Sequence, residues 1–328
     1  MKIIAEIGSV HNGNLKFAKY LIKLAAKSGA DIVKFQMHIP EYETLKNAPS
    51  PKHFDSEDRY SYFKRTSFNL NQWKAIKKTC EKYNLEFLCS PFSLEAVDLL
   101  EQLKTKKYKI PSGELTNIPL LEKIVKTKKP ILLSTGMSNF DEINQAYMIC
   151  KKNDLTIMQC SSIYPCPEKF AGLNVINIFK KKFKCKVGYS DHTLGKASAI
   201  IAAYLGVDYI EKHFTSSTKL YGSDAKFSME PDQFKNFCKE IKNAYIIKKN
   251  SVNKNDIKKY KNMKKVFEKS IVAKKFIPSG NSIKLTDLAF KKPGDGIKTK
   301  YYKKIINKVV KKNINIDEVI QWKKIKKK

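Results

Sequence analysis

Two short strings, Gly188-Tyr189-Ser190-Asp191-His192-Thr193 and Glu211-Lys212-His213-Phe214-Thr215, each follow an apolar run that reads as a strand. One strand-helix-strand repeat separates them. If the two strands are parallel neighbours, both imidazoles emerge at the same end of the sheet and can share one divalent metal ion. A lone His at a strand end more often caps a loop. Two in matching positions, beside Asp191, Glu211 and Lys212, point to a site.

The elements that must position these residues recur along the chain. Strand-like runs at 3–7, 32–36, 87–90, 108–111, 131–134, 156–160, 186–189 and 209–213 alternate with helical patterns at 16–26, 94–103, 120–125, 140–150, 197–204 and 232–247. Eight β/α repeats in about 250 residues predict an α/β fold of the TIM (β/α)8 barrel type, with a doubly wound sheet as the alternative. Residues 39–70 break the rhythm with a Pro-, Tyr- and charge-containing excursion after the second strand, either a lid over the mouth or a plain insertion.

In such a barrel the chemistry sits at the C-terminal ends of the strands. The polar residues there are Glu6, then Lys34 and Gln36, Ser90, then Lys109, Ser112 and Glu114. Ser134 and Thr135 follow, then Ser161, Ser162 and Tyr164, then Ser190, Asp191 and His192, and last Lys212 and His213. Lysines and hydroxyls converging on one mouth describe a phosphate or carboxylate pocket. A lysine inside an apolar strand, as in Asp31-Ile32-Val33-Lys34-Phe35-Gln36, is costly to bury unless an anion meets it.

The 328 residues carry a formal charge of +33, which invites a polyanion-binding reading without catalysis. Against it, all but two of the 64 basic residues are Lys, Arg59 and Arg65 being the exceptions. Base readout and phosphate clamps favour the planar guanidinium, so the lysines read as solvated surface and no nucleic-acid partner is expected. The seven cysteines show no C-x-x-C pair, which argues for free thiols in a reducing compartment. With no run of 18 apolar residues and a strand starting at the N-terminus, the expectation is a soluble, cytoplasmic protein without a membrane partner.

The barrel is expected to span 1–249, a Lys/Asn-rich linker 250–267 and a mainly-β module 268–328. That module is too small to bury much surface alone, and the closing Lys323-Lys324-Ile325-Lys326-Lys327-Lys328 run reads as a frayed tail.

Seven strings in order resemble one family: Ala5-Glu6-Ile7-Gly8 with His11-Asn12-Gly13, Val33-Lys34-Phe35-Gln36, Tyr108-Lys109-Ile110-Pro111-Ser112-Gly113-Glu114, Leu133-Ser134-Thr135-Gly136-Met137, Tyr164-Pro165-Cys166-Pro167, and the two His strings. The chain is similar to the sialic acid synthases. The ending Phe290-Lys291-Lys292-Pro293-Gly294-Asp295-Gly296-Ile297 resembles their antifreeze-like (SAF) domain.

The resemblance implies a transferase that condenses phosphoenolpyruvate with N-acetylmannosamine to N-acetylneuraminate, releasing phosphate by C–O cleavage. A legionaminic or pseudaminic acid synthase, taking a diacylamino 6-deoxy hexose, is the alternative. It also implies a metal, Mn²⁺ or else Mg²⁺ or Co²⁺, on His192 and His213. Phosphoenolpyruvate would lie on Lys34, Ser90, Lys109, Ser112, Ser134, Ser162 and Ser190, and the sugar on Gln36, Tyr164, Asp224 and Lys292. Glu6 or Glu114 would handle the proton of the attacking water. A homodimer is implied in which each SAF domain covers the partner's barrel. Three positions depart from the family pattern: Val10 and Ser162 each replace Asn, and Lys292 replaces an Arg, turning a planar fork into a point charge.

Overall fold

Alternation along eight short strands decides the architecture. β1 (Lys2–Gly8), β2 (Ile32–Met37), β3 (Glu86–Pro91), β4 (Tyr108–Ile110), β5 (Ile131–Ser134), β6 (Leu155–Cys160), β7 (Lys186–Asp191) and β8 (Tyr209–His213) form one all-parallel sheet in the order β3-β2-β1-β8-β7-β6-β5-β4. This is a near-closed TIM-like barrel, open only between β3 and β4. The computed structural model describes residues 1–50, 57–222 and 224–326.

Successive side chains on a strand face opposite sides of the sheet. Ile3, Ala5, Ile7, Val33 and Phe35 therefore pack outward against the helices. Ile4, Ile32, Leu88, Leu132 and Met158 form a separate apolar layer inside the barrel. Two residues further along the same strands stand Glu6, Lys34, Ser90, Ser134 and Cys160. One period of alternation thus carries each strand from packed floor to polar mouth, and the floor residues, each worth about 1.5–3 kcal/mol when fully buried, hold the polar layer in place.

Among the described residues ten helices surround the barrel: α1 (Leu15–Lys27), α2 (Pro40–Glu43), α3 (Arg59–Thr66), α4 (Leu70–Lys82), α5 (Leu94–Gln102), α6 (Ile118–Lys126), α7 (Phe140–Cys150), α8 (Asn174–Phe183), α9 (Ala197–Leu205) and α10 (Pro231–Lys249). Asn14, Asp58, Asn69, Ser93, Asn117 and Asn139 each accept a backbone N–H at the start of their helix, which fixes where the strand-to-helix loops end. The sequence pattern did not show α4 or α8. In both, Lys-rich faces mask a narrow apolar stripe, Trp73, Ile76 and Cys80 in one and Ile176, Phe179 and Phe183 in the other. The excursion at 39–70 holds α2 and α3, with Tyr62 and Phe63 buried; its residues 51–56 lie outside the described residues.

The chain divides at 251/252 into two units. In the second, β9 (Ser270–Ala273) pairs antiparallel with β10 (Leu288–Lys291), and isolated bridges such as Ile277–Ile314 and Val310–Ile325 extend the network. An isoleucine-rich core, with Ile271, Ile283, Ile305, Ile314 and Ile320, fills it. The terminal lysine run is not frayed as far as residue 326: Ile325 is buried in that core and the Lys326 N–H donates to the Val309 carbonyl. Lys327 and Lys328 lie outside the described residues. All seven cysteines are free thiols, and among the described residues no helix is long and apolar enough to cross a membrane.

Candidate active site

Four charged side chains converge above the floor of the barrel. Glu6, Lys34, Lys109 and Glu211 are 1%, 4%, 2% and 3% exposed. Lys109 Nζ donates to both Glu211 oxygens at 2.8 and 2.9 Å, and Lys34 Nζ stands 3.4 Å from Glu211 Oε1 and 3.2 Å from Glu6 Oε2. Ser190 Oγ donates to Glu211 Oε1 at 2.9 Å, and the Gln36 amide donates to Glu6 Oε1 at 2.8 Å. Two ammonium groups facing two carboxylates leave the floor close to neutral.

The four groups are not equivalent. Burial alone would raise the Glu211 carboxyl, but Lys109 and Lys34 overcome it and hold it well below the usual carboxylate range. Burial pushes Glu6 up to about 7; Lys34 opposes the rise and the Glu211 charge adds to it. Lys34, with two carboxylates against its desolvation, is held above the usual lysine range. Lys109, equally buried but with Lys34 beside it, is pulled down.

Next to this floor stand the two histidines, with ring centroids 5.6 Å apart. The His192 Nδ1–H donates to the Ser161 carbonyl at 2.5 Å, which leaves Nε2 as the bare nitrogen, 3.1 Å from the Tyr164 hydroxyl and 3.5 Å from Ser190 Oγ. His213 Nδ1 is buried without a hydrogen bond among the described residues, 4.0 Å from Asp224 Oδ2. Burial holds His192 down to about 4 and His213 well below the usual imidazole range, so both rings are neutral near pH 7. Neutral, paired imidazoles, one with its tautomer set by a backbone carbonyl, are the donor set a divalent transition metal takes. Among the described residues no group of three or more His, Cys, Asp or Glu adds to the pair, so further ligands would come from water or substrate.

Ser90 and Ser134 present buried hydroxyls without hydrogen-bond partners among the described residues. Ser112 Oγ contacts Cys160 Sγ at 3.1 Å and accepts the Gly136 N–H at 2.9 Å. A Cβ on Gly136 would meet the Ser162, Cys160 and Ser112 side chains at 2.4, 2.7 and 2.8 Å, so only glycine lets the backbone lie against these groups. Unmade hydrogen bonds on buried hydroxyls are rare in proteins, and that of Ser134, which lines one cavity with Lys34 and Lys109, suits an oxygen-rich anion.

Behind the histidines, the wholly buried Asp191–Lys212 pair, 2.9 Å apart, ties down the loop after β7. Asp191 also accepts from the Thr193 N–H and Ser198 Oγ, while Lys212 donates to the Thr193 and Gly195 carbonyls. These two residues, expected at the mouth, instead face away from it, because they alternate with Ser190 and Glu211 on their strands.

Residues 21–253 match the NeuB family and residues 268–326 match the SAF domain. The chain belongs to the NeuB family. Its N,N'-diacetyllegionaminic acid synthase relative from Campylobacter jejuni is 38% identical over 97% of this chain and 98% of that protein. The N-acetylneuraminate-9-phosphate synthase of Mus musculus is 30% identical over 88% and 82%. Among solved structures, the N-acetylneuraminic acid (sialic acid) synthetase of Leptospira borgpetersenii superposes with a TM-score of 0.71 at 28% identity, covering 79% of this chain and 90% of that one.

In this NeuB-family barrel a cavity of about 380 Å³ gathers Glu6, Lys34, Gln36, Lys109, Ser112 and Ser134, and with them Ser162, Tyr164, Ser190, His192, His213 and Asp224. That volume lies within the range of about 300–1,000 Å³ usual for small-molecule sites. Two expected site residues of the barrel lie outside its wall, and a third belongs to the other unit. Ser90 is fully buried and does not line it. Glu114, raised by partial burial, accepts from Asn117 Nδ2 at 2.7 Å and does not line the cavity. Lys292 belongs to the second unit, where it is exposed with Nζ 5.1 Å from the Phe267 ring centroid. Sequence reasoning named Glu211 beside the histidines but did not place it at the mouth, and it missed His38 and Arg59; all three line the wall. For Glu211 the signal was alternation: if His213 faces inward, so does the residue two before it.

Proposed function

We propose that this NeuB-family protein condenses phosphoenolpyruvate with a diacylamino 6-deoxy hexose to form a nine-carbon 2-keto sugar acid, releasing inorganic phosphate. The observation that carries the acceptor is the near full-length similarity to the C. jejuni N,N'-diacetyllegionaminic acid synthase, stronger than that to the mouse neuraminate-9-phosphate synthase. It puts the diacylamino sugar ahead of N-acetylmannosamine, the acceptor first expected from the motifs.

The cavity suits this chemistry. Lys34 and Lys109, with the Ser134 hydroxyl that has no partner among the described residues, offer charge and hydrogen bonds to the phosphate and carboxylate of phosphoenolpyruvate. Gln36, Tyr164 and Asp224 line the same space, the last two beside His192 and His213, and would hold the sugar. A divalent ion on His192 and His213 would supply Lewis-acid polarisation of a carbonyl oxygen. The C3 methylene carbon of phosphoenolpyruvate attacks the sugar aldehyde, whose oxygen takes a proton to become a hydroxyl; water adds at C2, the carbon bearing the phosphate ester, and phosphate leaves with C–O cleavage to give the ketone. Glu6 lines the cavity with a carboxyl pushed up to about 7, so it can take the proton of that water near neutral pH; Glu114, outside the wall, is less well placed.

The test is to incubate the protein with phosphoenolpyruvate, Mn²⁺ and one acceptor at a time, following phosphate and identifying the 2-keto acid by mass. Phosphate release with the 2,4-diacetamido-2,4,6-trideoxy hexose above that with N-acetylmannosamine supports the reading. The reverse order would replace the acceptor, and no release with any sugar would remove the activity.

A further inference from the structure

Only two positions in this lysine-biased chain are arginine, and their side chains are engaged very differently. Arg65 uses its planar fork inside the protein: Nε and Nη2 donate to the two Glu57 oxygens at 3.0 and 2.7 Å, and Nη1 donates to Asn12 Oδ1 at 2.5 Å. Arg59, at the start of α3, lines the cavity, and its Nε–H is buried with no hydrogen-bond partner among the described residues. A buried donor left without an acceptor is costly, and a substrate acceptor would recover that cost.

The surroundings of Arg59 define that acceptor. Its guanidinium carbon lies 5.7 Å from the Phe63 ring centroid. Phe63 is itself fixed by stacking on His38, with centroids 3.6 Å apart, and His38 stacks in turn on Phe92 at 4.1 Å. His38 cannot turn freely, because its two ring nitrogens contact Glu43 at 2.6 Å and Gln36 at 3.1 Å. Phe63, His38 and Phe92 line the cavity with Arg59, and Met137 and Phe227 add further apolar lining. One guanidinium donor set among apolar side chains is complementary to an acylamino group, whose carbonyl oxygen accepts the N–H while its methyl rests on the aromatic wall. A phosphate dianion would be stripped of water there against a single cation, an expensive arrangement.

We infer that Arg59 is a specificity-determining residue of the acceptor site, donating its Nε–H to the carbonyl of the second acylamino group of the hexose. This rests on the diacylamino-hexose reading given above and adds to it the residue that tells a diacylated acceptor from a monoacylated one. Lys34 and Lys109 face the carboxylates of Glu6 and Glu211, whereas the Arg59 Nε–H meets no acceptor among the described residues.

The test compares wild type, Arg59→Met and Arg59→Lys with phosphoenolpyruvate and two acceptors, the 2,4-diacetamido-2,4,6-trideoxy hexose and N-acetylmannosamine. The KM of the diacylated sugar should rise about tenfold or more in Arg59→Met, with Arg59→Lys between it and wild type, as expected for loss of a hydrogen bond from a charged donor. The KM for phosphoenolpyruvate and kcat/KM for N-acetylmannosamine should stay within about twofold, and all three proteins should melt together. A rise confined to the phosphoenolpyruvate KM would place an anion of that substrate on Arg59 and overturn the assignment, as would an equal loss with both sugars or a lower melting temperature explaining the loss. A wild-type enzyme that turns over only N-acetylmannosamine would overturn the acceptor reading and this inference with it, an outcome visible before any variant is made.

Discussion

Lys109 and Glu211 meet face to face across the barrel floor, Nζ within 2.9 Å of both carboxylate oxygens and neither residue more than 3% exposed. Breaking a buried pair by removing one partner costs about 3–5 kcal/mol, because the remaining charge is stranded. Glu211→Gln should therefore lower the free energy of unfolding by about that amount in urea denaturation. Lys109→Met with Glu211→Gln should cost clearly less than the two single changes added together. Strict additivity would mean that the pair contributes nothing as a pair.

Lys109→Met should also separate the two substrates. Its ammonium is expected to meet the dianion of phosphoenolpyruvate, a charge-assisted contact worth about 2–3 kcal/mol. Steady-state kinetics should show a large rise in the phosphoenolpyruvate KM and a small one for the sugar. Equal rises would make Lys109 a structural residue.

Glu6 gives a pH signature in stability. Its carboxyl titrates at about 7 in the folded chain against an ordinary 4.5, so the folded state holds this proton more tightly than the unfolded one. Its stabilising contribution is complete below the unfolded value and is lost as pH rises through about 7. Glu6→Gln mimics the protonated form at every pH. The variant should match wild type near pH 4 and exceed it near pH 8 by about 3 kcal/mol, the free-energy equivalent of the shift. A stability difference that does not change between these pH values would refute the buried, proton-holding Glu6.

Much of the fold was legible because barrel strands declare themselves by their apolar runs and their spacing, and all eight appear where those runs predicted them. The strand-end residues were legible for the same reason: period-2 alternation puts Lys34 above Ile32 and Ser134 above Leu132. Applied to β8 it would also have shown Glu211 facing in and Lys212 facing out. Helices α4 and α8 were masked by lysines on their exposed faces. His38 and Arg59 were not readable from any period, since they sit at a strand end and in the excursion after it, where position depends on the stacking of His38 between Phe63 and Phe92. The scarcity of arginine was a compositional hint to Arg59, but only the structure shows which of the two has its fork engaged.

The proposed metal pair can be tested without turnover. Mn²⁺ in excess should raise the melting temperature of wild type, since an ion that binds only the folded state stabilises it by mass action. The rise should vanish in His192→Ala and in His213→Ala and return to no extent at micromolar metal. An undiminished shift in either variant would move the ion elsewhere.

The central claim is that one cavity joins phosphoenolpyruvate to a diacylamino hexose. The most direct measurement is phosphate release by wild-type protein supplied with phosphoenolpyruvate, Mn²⁺ and the 2,4-diacetamido-2,4,6-trideoxy hexose, with the products weighed by mass spectrometry. The account predicts phosphate and a nine-carbon 2-keto acid in equal amounts, both abolished by His213→Ala and by omission of the sugar. Phosphate released at the same rate without any sugar, or no 2-keto acid from any acceptor, would contradict it.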